Sequence, residues 1–244
     1  GSAIPLKAPL FANFVSDHFV IAIDSNALLA WTTGRYARTT GDLVTIERLL
    51  PGLERGMAFY DSVEKEGLVR QPPFSDWKDT VAARRGAVFL TQLLRWHGLR
   101  ELAWISGKLG HSAAAAWTAR AETVRSCAQQ AFWNDKGGYY LDTLEFPLLS
   151  CDGNLAAVAW GFCDEVSSER IFEAMRRLKL WTPGGPRAGQ RYPSSEKGCL
   201  ARLALMHGYH DDYVWLWNSA LALSALKRFG KAAEATCLAE ALER

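Results

Sequence analysis

The chain has 244 residues and a mass of 27.1 kDa, which leaves room for one large domain or two small ones. Folding at this size buries about 70% of the surface that the unfolded chain exposes, so a sizeable core is available. Charged residues make up 22% and the formal net charge is only +2, which argues against a disordered polymer and leaves no cationic excess to neutralise a row of nucleic-acid phosphates. No run of 18 apolar residues marks a membrane span. No charged stretch followed by an apolar core marks a signal peptide at the start, so a reducing cytoplasm is the expected compartment. The five cysteines (Cys127, Cys151, Cys163, Cys199, Cys237) form no C-x-x-C pair and read as reduced, buried thiols rather than as a disulfide framework or a thiolate zinc site.

The dominant period along the chain is helical. A first helix is expected over Ser25–Thr39 and a second over Leu43–Glu66, where Ile46, Leu49, Leu50, Leu53, Met57 and Tyr60 share one face. Helical runs follow over Val81–His97 and Leu99–Leu109, with Gly98 as the break, and over Ser112–Trp133, where Trp117, Ala121, Val124, Ala128 and Phe132 repeat. Gly137-Gly138 before Tyr139-Tyr140-Leu141 predicts a short hairpin. Asn154–Cys163, a helix opening after a capping Ser167, Tyr213–Phe229 and Lys231–Leu242 complete the set. Glycines at 41, 67, 98, 110, 208 and 230 sit where left-handed helix ends are wanted. The longest aperiodic stretch is Trp181–Glu196, a length that in a compact domain usually carries function. No linker divides the chain, so one all-α domain over residues 1–244 is expected.

Paired helices give hairpins beginning near Asp24, Asp79, Asp152 and Asp212, which lie 55, 73 and 60 residues apart. An acid at each start suits helix capping. If alternate helices form an inner ring, the same acids converge on one mouth together with aromatic side chains. The segment Pro72-Pro73-Phe74-Ser75-Asp76-Trp77-Lys78-Asp79 is the densest of these, with two carboxylates three residues apart around a tryptophan.

Asp-Trp-x-Asp at such a helix opening resembles the acid-bearing motif of the six-hairpin, (α/α)6-barrel glycoside hydrolases, the group of glycogen-debranching glucosidases, alkaline and neutral invertases, trehalases and glucosylglycerate-type hydrolases. Ile23-Asp24-Ser25-Asn26 with Gly34-Arg35-Tyr36 and Thr40-Gly41-Asp42 is similar to the family's first such helix and turn. Trp133-Asn134-Asp135 with Gly138-Tyr139-Tyr140 resembles its Phe-Trp…Gly-Tyr-Tyr hairpin, and Tyr209-His210-Asp211-Asp212 with Val214-Trp215 its Tyr-His-Asn-Gly…Val-Trp segment. The motifs fall in family order over residues 20–230, although Asp211-Asp212 replaces Asn-Gly. About nine or ten helical runs stand against the twelve of a closed barrel, so a toroid incomplete at its N-terminus is expected.

The resemblance implies hydrolysis of a small glycoside by an inverting pair of carboxylates separated by ~6.5 to 9.5 Å. Motif position puts the general acid on Asp79, with helix capping as its competing role and Asp76 as the alternate. The base falls on Glu196, upstream of the Tyr-His segment, with Asp211 and Asp212 in reserve. Substrate contacts are expected from Asp24, Trp31, Phe74, Asp76, Trp77, Asp152, Asn154, Tyr209, His210, Asp212 and Trp215, because carboxylates accept sugar hydroxyl protons and indoles stack on ring faces. Trp217 is a further candidate for stacking, and Arg84 or Arg85 could meet an anionic group. No cofactor is implied, the partner is a small carbohydrate rather than nucleic acid or membrane, and the oligomeric state is not legible.

Two other classes stay open. Sugar epimerases use the same barrel, but His18, His97, His111, His207 and His210 form no paired set suited to proton transfer. A non-catalytic helical carbohydrate-binding or interaction domain is the other, although no consensus repeat recurs. A metal on His210 with Asp211 or Asp212 would lack a convincing third ligand of the kind a catalytic zinc needs.

Overall fold

The computed structural model describes residues 20–203 and 208–243, so His18 and His207 lie outside the described residues. Two compact units share the chain: one holds the described residues up to Asp79 together with Arg85–Gln130, the other Thr80–Arg84 together with residues 131–243.

In the first unit, α1 (Ser25–Thr40) ends at Gly41, whose φ of 71° lets its N–H reach the Ala37 carbonyl at 2.9 Å. α2 (Leu43–Ser62) starts on Asp42, which accepts the Thr45 N–H at 3.0 Å. It buries Ile46, Leu50, Leu53, Met57 and Tyr60, the face that the 3.6-residue period marks, while Leu49 stays exposed. The Tyr60 hydroxyl donates to the Ile23 carbonyl at 2.7 Å and accepts the Ala27 N–H at 3.2 Å, pinning the end of α2 to the start of α1. Burial raises the Tyr60 phenol above its ordinary range, so it remains a donor.

Antiparallel β1 (Glu64–Lys65) and β2 (Leu68–Gln71) are joined by Glu66-Gly67, both at positive φ, the pattern of a two-residue hairpin turn; β2 then pairs with β3 (Gly86–Ala87). α3 (Phe89–Lys108) runs unbroken through Gly98, where the spacing predicts two helices. Gly98 is there for close approach instead: a Cβ would meet the Met57 thioether at 3.1 Å and the Ala27 backbone at 3.4 Å. The expected helix over residues 81–88 is absent, and those residues form turns, a bridge and β3. α3 buries Leu93, Trp96, Leu99, Leu102 and Ile105 and also Arg95 and Glu101, an all-round burial typical of a central helix. α4 (Ala114–Phe132) follows and buries Ala121, Val124, Ala128 and Phe132.

The second unit opens with the expected hairpin, β4 (Trp133–Asn134) against β5 (Tyr139–Tyr140), with Trp133 opposite Tyr140. α5 (Cys151–Ala159) and α6 (Glu165–Arg177) follow. The cap of α6 is Asp164, which accepts the Ser167 N–H at 2.8 Å, so Ser167 lies inside the helix rather than before it. The aperiodic stretch contains a hairpin of β6 (Trp181–Thr182) and β7 (Gly185–Pro186), then a 3-10 turn at Ser194–Glu196. α7 (Cys199–Leu203), α8 (Leu216–Arg228) and α9 (Ala232–Leu242) complete the unit, with α8 packed between α5 and α9. None of the five cysteines is in a disulfide, only Cys151 is buried, and Cys199 and Cys237 are exposed. Among the described residues no helix is long and apolar enough to cross a membrane.

Candidate active site

In the first unit the Pro72–Asp79 segment leaves β2 as a non-helical strip that is buried from Ser75 to Asp79. The Gln71 amide donates to Asp76 Oδ2 at 3.0 Å, and Asp76 Oδ1 accepts the Lys78 N–H at 2.9 Å, so this carboxylate organises its own turn. Thr91 of α3 bonds Gln71 in turn. Phe74 sits half-buried at a φ of 65°, a conformation that a side-chain-bearing residue adopts only under constraint. The Ile23 N–H donates to the Ser75 carbonyl at 2.8 Å, which brings Asp24, at the N-terminal boundary of α1, to the same strip. Trp77 is 8% and Asp79 9% exposed. Asp79 stands ten residues before the first residue of α3, whose N-cap is Val88, so a capping role does not apply to it.

Trp31, half-buried on α1, lies with its ring centroid 5.6 Å from that of His97 on α3. Burial, followed by the Arg100, Arg38 and Arg35 charges, pushes the His97 imidazole down to about 3.

In the second unit Thr80–Arg84 is an extended turn, not the opening of a helix, and Arg84 is fully buried. Its Nη1 donates to Asp142 at 2.9 Å and to Asp152 at 2.8 Å, with carboxylates 2% and 0% exposed. The Tyr192 hydroxyl donates to the other Asp142 oxygen, and Ser150 donates to Asp152. Burial, then the Asp142 charge, raises the Tyr192 phenol well above its usual value, so it holds its proton. Asn154, on α5, receives the Tyr140 N–H and donates to the carbonyls of Tyr140 and Ser150, each at 2.9 Å. The hydrogen-bond partners of Asp152 and Asn154 described above are protein groups.

Glu196 ends the 3-10 turn half-buried, and its carbonyl accepts the Ala82 N–H at 2.7 Å. Val81 bridges Lys197, and the Gly198 N–H donates to the Thr80 carbonyl at 2.9 Å. The segment that follows Asp79 in the chain is thereby laid along the backbone that carries Glu196. Lys197 pairs with buried Asp211. Thr80 Oγ1 meets His210 Nδ1 at 2.6 Å; the His210 ring stacks on Trp215 at 5.3 Å and 16°, and Tyr209 stands edge-on to both. The Trp215 indole donates to the Tyr209 carbonyl at 2.9 Å. Asp212 lies four residues before α8 and receives the Arg191 fork at 2.7 to 3.0 Å, with Arg187 3.7 Å away. Among the described residues no three His, Cys, Asp or Glu side chains gather as a metal site would require.

Sequence reasoning does not single out Gln71, Asp142, Tyr192 or Lys197. Asp142 follows the apolar run Tyr139-Tyr140-Leu141, which is the available signal for it, whereas Gln71, Tyr192 and Lys197 stand beside Arg70, Arg191 and Glu196 and carry none.

No protein-family profile matches the chain, and no curated protein matches it. Solved structures do. A rhamnosidase from Klebsiella oxytoca with rhamnose bound superposes with a TM-score of 0.65 at 15% identity, over 89% of this chain and 37% of its own. A GH63 mannosylglycerate hydrolase from Thermus thermophilus, in complex with Tris, gives 0.66 at 11% identity, over 88% of this chain and 67% of its own. A GH78 family rhamnosidase of Bacillus sp. GL1 gives 0.61 at 16% identity, over 91% and 21%. The chain therefore spans well under half the length of these rhamnosidases. Likeness at this level identifies the fold, and the fold is the all-α (α/α)6 type of the six-hairpin glycosidases, in agreement with the ordered motifs.

Proposed function

We propose that the protein is a glycoside hydrolase that cleaves a small glycoside with inversion, with Asp79 as general acid and Glu196 as general base. The observation that supports this best is the setting of Asp79: a nearly buried carboxyl beside Trp77, in a turn with no helix to cap. A general acid must carry its proton near neutral pH to protonate a leaving oxygen, and burial in general disfavours the charged form of a carboxyl. The fold likeness and the Asp-Trp-x-Asp motif order support the same assignment.

In this reading Asp79 gives its proton to the glycosidic oxygen as the bond to the anomeric carbon breaks. Glu196 takes a proton from a water molecule whose oxygen attacks that carbon from the opposite face, so the product has inverted configuration. Asp24, Trp31, Phe74, Trp77, Tyr209, His210 and Trp215 are the proposed sugar contacts. Asp76, Asp152, Asn154 and Asp212, each engaged by protein donors, serve to hold the segments that carry them.

The test is turnover on a panel of disaccharides and glycosylglycerates, with the anomer of the first-formed product read by proton NMR. Asp79→Asn and Glu196→Gln should each lower kcat by ~10² to 10⁴ with little change in melting temperature. Full turnover by Asp79→Asn, or a product of retained configuration, overturns the assignment.

A further inference from the structure

Two stretches of the second unit bear on the proposed chemistry, Thr80–Arg84 directly after Asp79 and Pro193–Glu196 ending in the base, and a single buried side chain touches the supports of both. Tyr192 is 4% exposed, and its ring shares a cluster with Val81 and Ala83, packed against Phe146 and Leu148. Its hydroxyl donates to Asp142, whose other oxygen accepts from Arg84 at 2.9 Å. Arg84 lies on the same short segment as Val81 and Ala83, so the contacts close a ring: Tyr192 to Asp142, Asp142 to Arg84, then back along the chain to the residues under the Tyr192 ring. From Tyr192 the chain passes through Pro193, at φ −53°, directly into the 3-10 turn that ends in Glu196. Proline fixes its own φ, so this is a short and stiff connection. At its far end Glu196 is again tied to the first segment by the Ala82 N–H at 2.7 Å.

Apolar side chains would fill this volume at a lower desolvation cost than an arginine, two aspartates and a tyrosine. What the polar ring adds is direction, because hydrogen bonds fix angles that dispersion contacts leave soft. We propose that Tyr192 is a positioning residue for Glu196, acting through Asp142 and Arg84 to hold the Glu196 carboxylate in the orientation from which it activates water. This inference rests on the reading of Glu196 as general base.

Tyr192→Phe keeps the ring and removes only the hydroxyl. In the full chain it should lower kcat about 10- to 100-fold, the scale of a displacement of about 1 Å at a reacting group, while KM stays within about twofold, because the base acts on water and not on the sugar. Its effect should vanish in a Glu196→Gln background, since a misplaced base costs nothing once the base is gone. Amide hydrogen exchange supplies a readout independent of turnover: the Ala82 and Gly198 amides, which bridge the two segments, should exchange faster in Tyr192→Phe. Asp142→Asn, whose amide offers one acceptor oxygen to the two donors Arg84 and Tyr192, should break the same ring and show a comparable effect on each measure. Unchanged exchange at Ala82 and Gly198, or a kcat loss that persists undiminished in the Glu196→Gln background, overturns the positioning role. Full turnover by Glu196→Gln alone instead removes the base assignment, and the positioning role with it, and the exchange data then show whether the clamp still exists as a structural device.

Discussion

Replacing Arg84 by methionine should be among the most destabilising single changes in the second unit. Arg84 is fully buried, and its Nη1 faces Asp142 at 2.9 Å and Asp152 at 2.8 Å, with those carboxylates 2% and 0% exposed. Methionine fills most of the volume but takes the guanidinium away from two carboxylates in an apolar interior, and breaking a buried pair in this way costs about 3 to 5 kcal/mol. For a chain of this size each kcal/mol moves the melting point by roughly 2 to 4 °C, so a fall of about 6 to 20 °C is expected. The assay is thermal unfolding followed by circular dichroism, repeated on the triple variant Arg84→Met/Asp142→Asn/Asp152→Asn. That variant removes the carboxylate charges while keeping an acceptor for Tyr192, and it should recover more than half of the loss. A single variant that melts within about 2 °C of the parent, or a triple variant no better than the single, would refute the claim that buried charge sets the cost.

Two further outcomes follow from particular groups. His97 has a folded-state value of about 3 against an ordinary 6.5, so the unfolded chain binds the proton first, and stability is full above pH 6.5 and declines as the pH falls toward 3. The loss should reach about 2 kcal/mol by pH 5 in urea titrations, and His97→Phe should flatten the curve over that window; an unchanged slope in the variant would remove His97 as its origin. Asn154→Ala takes the amide away from the Tyr140 N–H and from two buried carbonyls and should cost about 2 to 4 kcal/mol in urea unfolding, whereas a loss below about 1 kcal/mol would mean that water replaces the amide.

The parts of the fold that can be read from the sequence are those governed by local periodicity. The apolar face of α2, the stripe of α4 and the Gly-Gly hairpin at residues 133–140 all follow from spacing alone, because each element buries one face and exposes the other. α3 departs from its expected bounds for the converse reason. A helix buried all round has no polar face to mark its ends, so Gly98 reads as a terminus when its missing side chain in fact admits Met57 and Ala27, and the residues before Phe89 read as helix because Ala82, Ala83, Arg84 and Arg85 are good helix formers.

The same misreading bears on the candidate site. While residues 81–97 are taken as a helix, Asp79 has a ready structural role as its cap, and Arg84 and Arg85 fall on adjacent faces of that helix. Once α3 begins at Phe89, Asp79 loses that role, Thr80–Arg84 becomes an extended segment that can bridge to Lys197, and Arg84 turns inward to two aspartates. None of these pairings is local: Arg84 reaches 58 residues to Asp142, and Tyr192 reaches 50 residues back to the same carboxylate. Sequence spacing can nominate a candidate carboxylate such as Asp79, since it lies inside a short motif. The buried partners Arg84, Asp142 and Tyr192 come from distant segments, and only the folded chain brings those three together.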